Sequence, residues 1–130
     1  MTKQFTLGKN ERLKSRRLIE QLFSKGKKLT LSPFRVHYFV SESKTVSMRF
    51  GTGVSNKNFK KAVDRNRIKR LVREAYRLQK LSLEQIIKEQ GKTLDVFFIY
   101  TGNEIPDYKM VFDAIGKSLN KICNIIDPVK

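Results

Sequence analysis

Arg65-Asn66-Arg67-Ile68-Lys69-Arg70-Leu71-Val72-Arg73-Glu74-Ala75-Tyr76 packs five cations into twelve residues whose apolar members recur at helical spacing. At 100° per residue, Ile68, Leu71, Val72 and Ala75 share one direction, and Asn66, Arg70, Arg73 and Arg77 cluster around the opposite one. One face of this helix belongs to a core and the other is cationic. An i, i+4, i+7, i+11 row of amide and guanidinium groups spans roughly 17 Å of planar donors, long enough to meet several phosphates. The helix is expected to run from about Asn58 to Lys80.

The rest of the chain sets this stripe in context. Its 130 residues, 39% apolar with nine Phe, are enough to close one core, so one domain over 11–130 is expected behind a mobile tail over 1–10. The formal charge of +16 is unevenly placed. Residues 1–80 hold 22 Lys or Arg against 5 Asp or Glu, a balance of +17, and residues 81–130 hold 6 against 7, a balance of −1. A uniformly basic solubilising surface would not divide this way; the N-terminal part carries a polyanion-binding surface and the C-terminal part is scaffold. The lone Cys123 has no intramolecular disulfide partner and no secretory leader is apparent, so an intracellular, cytoplasmic protein is expected. No apolar run reaches the length of a membrane span.

Along the chain, Ser15 fits the N-cap of a helix over about Arg16 to Lys25, with Leu18, Ile19, Leu22 and Phe23 on one side and Gly26 as C′ residue. Arg12, Lys14, Arg16 and Arg17 crowd its start, where the helix dipole disfavours cations, and this points to an external anion. The pattern allows a short strand near Leu29 to Leu31. Phe34 to Val40 alternates as a half-buried strand, and Val46 to Ser55 reads as the next, with a polar turn around Ser43 and Lys44 between them. A weaker helix covers Leu83 to Gln90 and stops at Gly91. Leu94 to Tyr100 is nearly continuously apolar, as in a strand buried on both faces. Asp107 caps a last helix whose Val111, Ile115, Leu119, Ile122 and Ile126 share a face, and Asp127 before Pro128 stops it.

Several features have structural readings. Gly51-Thr52-Gly53 lacks the third glycine of a dinucleotide loop and lies within a strand, which favours close backbone packing. His37 has no Cys or carboxylate at metal spacing, so no metal role is expected. Phe23 by itself fits a core position, because Ile19 and Leu22 share its side. Cys123 beside Ile122 reads as a small core residue.

The stretch from Arg49 to Tyr76 resembles the bacterial ribonuclease P protein subunit. The resemblance rests on Phe50-Gly51-Thr52-Gly53-Val54-Ser55 leading through Lys60-Lys61-Ala62-Val63 into the Arg-Asn-Arg-Ile-Lys-Arg run at 65–70, and it extends over about 110 residues in the order of elements. It implies an α+β two-layer sandwich in the order helix-strand-strand-strand-helix-strand-helix, with a left-handed βαβ crossover as in domain 2 of ribosomal protein S5. Periodicity alone would favour the right-handed connection.

The same resemblance implies a function. A large RNA is the catalyst and removes the 5′ leader of precursor tRNA with bound Mg²⁺, and the protein binds that catalytic RNA and the leader as a monomer in a 1:1 complex. Arg65, Asn66, Arg67, Lys69, Arg70 and Arg73 match the family signature, and with Arg77 are assigned to the catalytic RNA. Phe23 matches an aromatic of the leader cleft, joined by either His37 or Tyr38 and by the basic Lys57, Lys60 and Lys61. Asn56 and Ile19 depart from residues common in the family at their positions. No protein residue is assigned to catalysis. The residues agree with this, since the basic half offers only Glu11, Glu20, Glu42, Asp64 and Glu74, at no ligand-like spacing for a two-metal nuclease. A ribosomal protein or RNA chaperone would share the charge without requiring this run beside a phenylalanine-lined groove, and a self-sufficient nuclease would cut without RNA.

Overall fold

A computed structural model describes residues 16–42, 47–55 and 57–126. The 1–10 tail, Arg12, Lys14, the Ser15 cap, the turn around Ser43 and Lys44, Asn56 and the stop at Asp127 lie outside the described residues. The elements are α1 (Arg16–Lys25), β1 (Lys27–Leu31), β2 (Phe34–Glu42), β3 (Ser47–Val54), α2 (Ala62–Gln79), α3 (Leu81–Gln90), β4 (Lys92–Tyr100) and α4 (Tyr108–Ile126).

The four strands form one mixed sheet in the order β1-β2-β4-β3, with β1–β2 and β2–β4 antiparallel and β3–β4 parallel. The central place of β4 explains its nearly unbroken apolar run: a strand with neighbours on both sides and layers on both faces has little solvent to meet. Alternation then sorts the faces. Phe34, Val36 and Tyr38 of β2, Met48 and Phe50 of β3, and Leu94, Val96, Phe98 and Tyr100 of β4 join Ile68, Val72, Ala75 and Tyr76 of α2, Leu83 and Ile87 of α3, and Val111, Ile115, Leu119 and Ile122 of α4 in one buried core. At its centre Phe50 stacks on Tyr76, with ring centroids 4.0 Å apart and planes 11° from parallel. Helix α1 lies against the other face, where Phe23 meets His37 and Phe97. The α+β sandwich that the resemblance implies therefore stands, with α2, α3 and α4 as its helical layer and α1 added on the second face of the sheet.

Two helices connect β3 to β4, as the residue pattern with its second helix near Leu83 to Gln90 expects, where the element order implied by the resemblance has one. The break falls at Lys80, which is 1% exposed at the junction and whose carbonyl accepts the Glu84 N–H at 2.9 Å. Gly91 ends α3 in the left-handed conformation (φ 62°, ψ 44°), the residue type that region favours. Gly26 does not act this way, since among the described residues Gly91 alone has positive φ. What Gly26 supplies is closeness: a Cβ there would run into the Leu22 carbonyl and lie 2.8 Å from the Tyr38 carbonyl.

The basic helix starts at Ala62, four residues later than its periodicity suggests. Phe59 is drawn into the core beside Tyr100, at 6.1 Å between rings, and its N–H donates to the Ser55 carbonyl. The Asn58 side-chain amide donates to the carbonyls of Thr101 and Gly102, and the Lys57 N–H to Ser55 Oγ. These bonds hold 57–61 as a turn that a helical start at Asn58 would break. Helix α4 begins as expected, the Asp107 carboxylate accepting the Met110 N–H at 2.8 Å.

Candidate nucleic-acid interface

Helix α2 separates its two faces as the sequence requires. Ile68, Val72 and Ala75 are fully buried and Leu71 half-buried, while Asn66, Arg67, Arg70 and Arg73 are exposed and Lys69 is half-buried. The other two cations assigned to the RNA, Arg65 of the signature and Arg77 beyond it, are tied to the protein itself. Arg65 Nη1 donates to the carbonyls of Phe59 at 2.7 Å and Lys60 at 2.8 Å, so its guanidinium closes the turn before the helix. Arg77 forks onto Glu74, Nε donating at 2.9 Å and Nη2 at 2.6 and 2.8 Å. Arg67, Arg70 and Arg73 therefore form the outward cationic row. Lys57, Lys60 and Lys61 are exposed on the turn at the N-terminal end of α2, which extends the row beyond the helix.

The second cluster lies on the opposite face of the sheet. Phe23 is 41% exposed although its ring sits 4.4 Å from His37 and 5.4 Å, edge-on, from Phe97. His37 and Phe97 are directly paired across β2 and β4. A phenylalanine that two rings hold in place and that still keeps two fifths of its surface open offers a fixed aromatic surface on which an unstacked base can sit. Tyr38, the other residue considered for this cleft, is corrected by alternation: it points into the core, 6% exposed, away from Phe23. Phe97 was missed from sequence because it lies within the apolar run of β4, where only strand register reveals that it faces away from the core. Gly53 of β3 keeps this surface flat, since a Cβ would press on the Phe97 ring at 3.2 Å.

His37 is buried, with Nδ1 lacking a partner among the described residues. Burial holds its pKa below the ordinary 6.5, and the nearby charges of Lys28 and Arg35 push in the same direction. Near neutral pH the ring is an uncharged aromatic beside Phe23.

Arg49 and Asp95 form a bidentate ion pair on this same face, at 2.7 and 3.0 Å, with the carboxylate side chain 10% exposed. Asp95 thus explains the one charge within the apolar run of β4, and Arg49 is withdrawn from any external anion. Replacing Asp95 with Ala strands a half-buried guanidinium and is expected to cost about 2–4 kcal/mol of stability. Urea denaturation would register this as a lower midpoint at unchanged slope.

At the other end, Arg16 and Arg17 are exposed at the start of α1, and Arg16 is 3.8 Å from Glu20. Among the described residues no group of three or more His, Cys, Asp or Glu could hold a metal ion. No described helix is long and apolar enough to cross a membrane.

A four-stranded mixed sheet with a polycationic helix packed beneath it and an open aromatic cluster above it defines an α+β protein with a cationic surface on one side and an aromatic one on the other. Residues 7–125 match the family model described as Ribonuclease P. The ribonuclease P protein component of Porphyromonas gingivalis is 40% identical over 119 residues, covering 91% of this chain and 87% of that protein. That of Chlorobium phaeobacteroides is 32% identical, covering 90% and 88%. Among solved structures, the RNase P protein from Thermotoga maritima superposes with a TM-score of 0.66 at 29% identity, covering 85% of this chain and 96% of that one. The Staphylococcus aureus RNase P protein, at 22% identity and a TM-score of 0.61, shares the fold. The chain belongs to the ribonuclease P protein family, and its role lies in tRNA processing.

Proposed function

We propose that this protein binds the catalytic RNA of ribonuclease P through the outward row of α2 and binds the single-stranded 5′ leader of precursor tRNA at Phe23, His37 and Phe97, in a cytoplasmic 1:1 complex. The observation that carries this reading is the pairing of two unlike surfaces on one small sheet. One is a rigid row of guanidinium groups suited to phosphates, and the other an exposed aromatic face suited to bases. Hydrolysis belongs to the RNA, with Mg²⁺ bound mainly there; the scattered carboxylates of the described residues support that assignment. The protein's share is to neutralise phosphates where RNA strands converge, lowering the Mg²⁺ concentration the RNA needs.

The test is reconstitution. Purified protein added to bacterial catalytic RNA should stimulate precursor cleavage strongly at low Mg²⁺ and weakly at high Mg²⁺, and protein alone should cut nothing. Cleavage by protein free of RNA would overturn the reading.

The leader contact has its own signature. Phe23→Ala should weaken holoenzyme binding to precursor tRNA about 5- to 100-fold, the loss of one stack, while mature tRNA binding stays nearly constant. Equal losses for both ligands would return Phe23 to a purely structural role.

A further inference from the structure

A cleft of about 270 Å³ opens at the end of the sheet far from the turn that precedes α2. Its walls come from four separate regions of the chain: Lys25 at the end of α1, Lys27 at the start of β1, Lys92 at the start of β4, and Ile125 near the end of α4, over a floor that includes Tyr38 and Val40. The register shows why it exists. Strand β1 begins at Lys27, opposite Tyr38, whereas β2 continues to Glu42 beside β4. From Phe39 to Glu42 the outer edge of β2 has no strand beside it among the described residues, and the cleft occupies that notch. Lys92 and Tyr100 mark opposite ends of β4, roughly 26 Å apart at strand rise. The cleft is thus separate from Lys57, Lys60 and Lys61, which follow the strand end paired with Tyr100.

Lys25, Lys27 and Lys92 all line this one cleft, and among the described residues none of them joins an ion pair. Glu42, the acid opposite Lys92 in the register, is exposed at the end of β2. Like charges gathered around a concave apolar floor repel one another, and an anion between them relieves that repulsion. Ile125 is 48% exposed at the rim, so the same site offers apolar surface to a flat ring. Cations beside an exposed apolar side chain fit a phosphodiester with an unstacked base attached, as in single-stranded nucleic-acid sites.

We propose that this notch is a second RNA-binding site, holding an unpaired nucleotide with its phosphate on Lys25, Lys27 and Lys92 and its base against the Ile125 side. The inference rests on the RNA-binding reading above and extends it to the opposite corner of the molecule. One protein would then hold two RNA segments a sheet-length apart. The nucleotide belongs either to the catalytic RNA or to the distal leader.

The experiment compares the triple variant Lys25→Gln/Lys27→Gln/Lys92→Gln with a charge-matched control, Lys88→Gln/Lys109→Gln/Lys117→Gln, whose lysines are exposed elsewhere. Affinity for catalytic RNA, and for precursor tRNA by the assembled holoenzyme, is measured against KCl. The notch variant should lose on the order of 10-fold in one of these affinities and about 2 in its log–log salt slope, with the control losing less than about half as much. Loss in the first arm assigns the nucleotide to the catalytic RNA; loss only in the second, growing with leader length, assigns it to the leader. Equal effects of the two triple variants would mean a general field of charge and would overturn the proposal, as would no effect. A benzophenone placed at Ile125 gives an independent reading that needs no charge change: crosslinks to one RNA position support the site, while crosslinks to another protein chain, or none, overturn it. If Arg67→Ala/Arg70→Ala/Arg73→Ala also leaves RNA binding unchanged, the broader reading has failed; if that variant fails to bind while the notch variant is normal, only the notch has.

Discussion

Replacing Arg67, Arg70 and Arg73 together with Ala is expected to weaken binding to the catalytic RNA by on the order of 100-fold at moderate salt, and to flatten the log–log salt dependence by about 2 to 3. These three guanidinium groups are exposed on α2 and no described carboxylate pairs with them, so their charge is free to replace counterions on a phosphate backbone. Their removal exposes no core, and stability should move by less than about 0.5 kcal/mol for each. Filter binding over a range of KCl, with thermal melts of the same samples, separates the two effects. Arg77→Ala should do much less to RNA binding, because Glu74 already holds that fork. Arg65→Ala should instead loosen the turn whose Phe59 and Lys60 carbonyls it satisfies. An unchanged slope in the triple variant would remove the outward row from the interface.

The second large effect concerns the fold that carries the row. Tyr76 is 1% exposed and stacks on Phe50, so Tyr76→Ala opens a cavity between α2 and β3 where both rings are fully packed. The expected cost is about 3–5 kcal/mol, a large share of the stability of a domain this size, lowering the melting temperature by roughly 10–20 °C. Tyr76→Phe keeps the stack and should cost much less. RNA affinity of the Ala variant should fall with the fraction unfolded and return when the measurement is made well below its melting point. A melting temperature within about 3 °C of the parent would contradict the close packing of Tyr76 on Phe50.

Helix α2 also shows how far pattern reading reaches. Which of its residues face the core follows from 3.6-residue periodicity, a local property. Where it begins does not, because Phe59 and Asn58 are claimed by Tyr100 and by the carbonyls of Thr101 and Gly102, more than forty residues away in sequence. Its link to α4 is also nonlocal: the Gln79 amide donates to the Phe112 carbonyl at 2.9 Å, and Gly116 leaves room for it.

By itself the sequence determined the helix faces, the split of charge between its two parts, the family, and the sandwich that goes with it, because these depend on residue type, spacing and order. Tertiary structure alone decided which cations remain available and which aromatic neighbours surround Phe23. Arg49 is neutralised by Asp95 across a parallel strand pair, and Phe97 reaches Phe23 only because β4 lies beside β2. The choice between His37 and Tyr38 has the same origin. Alternation says that adjacent residues face opposite ways, but only the docking of α2, α3 and α4 on one face made Tyr38 core and left His37 with Phe23.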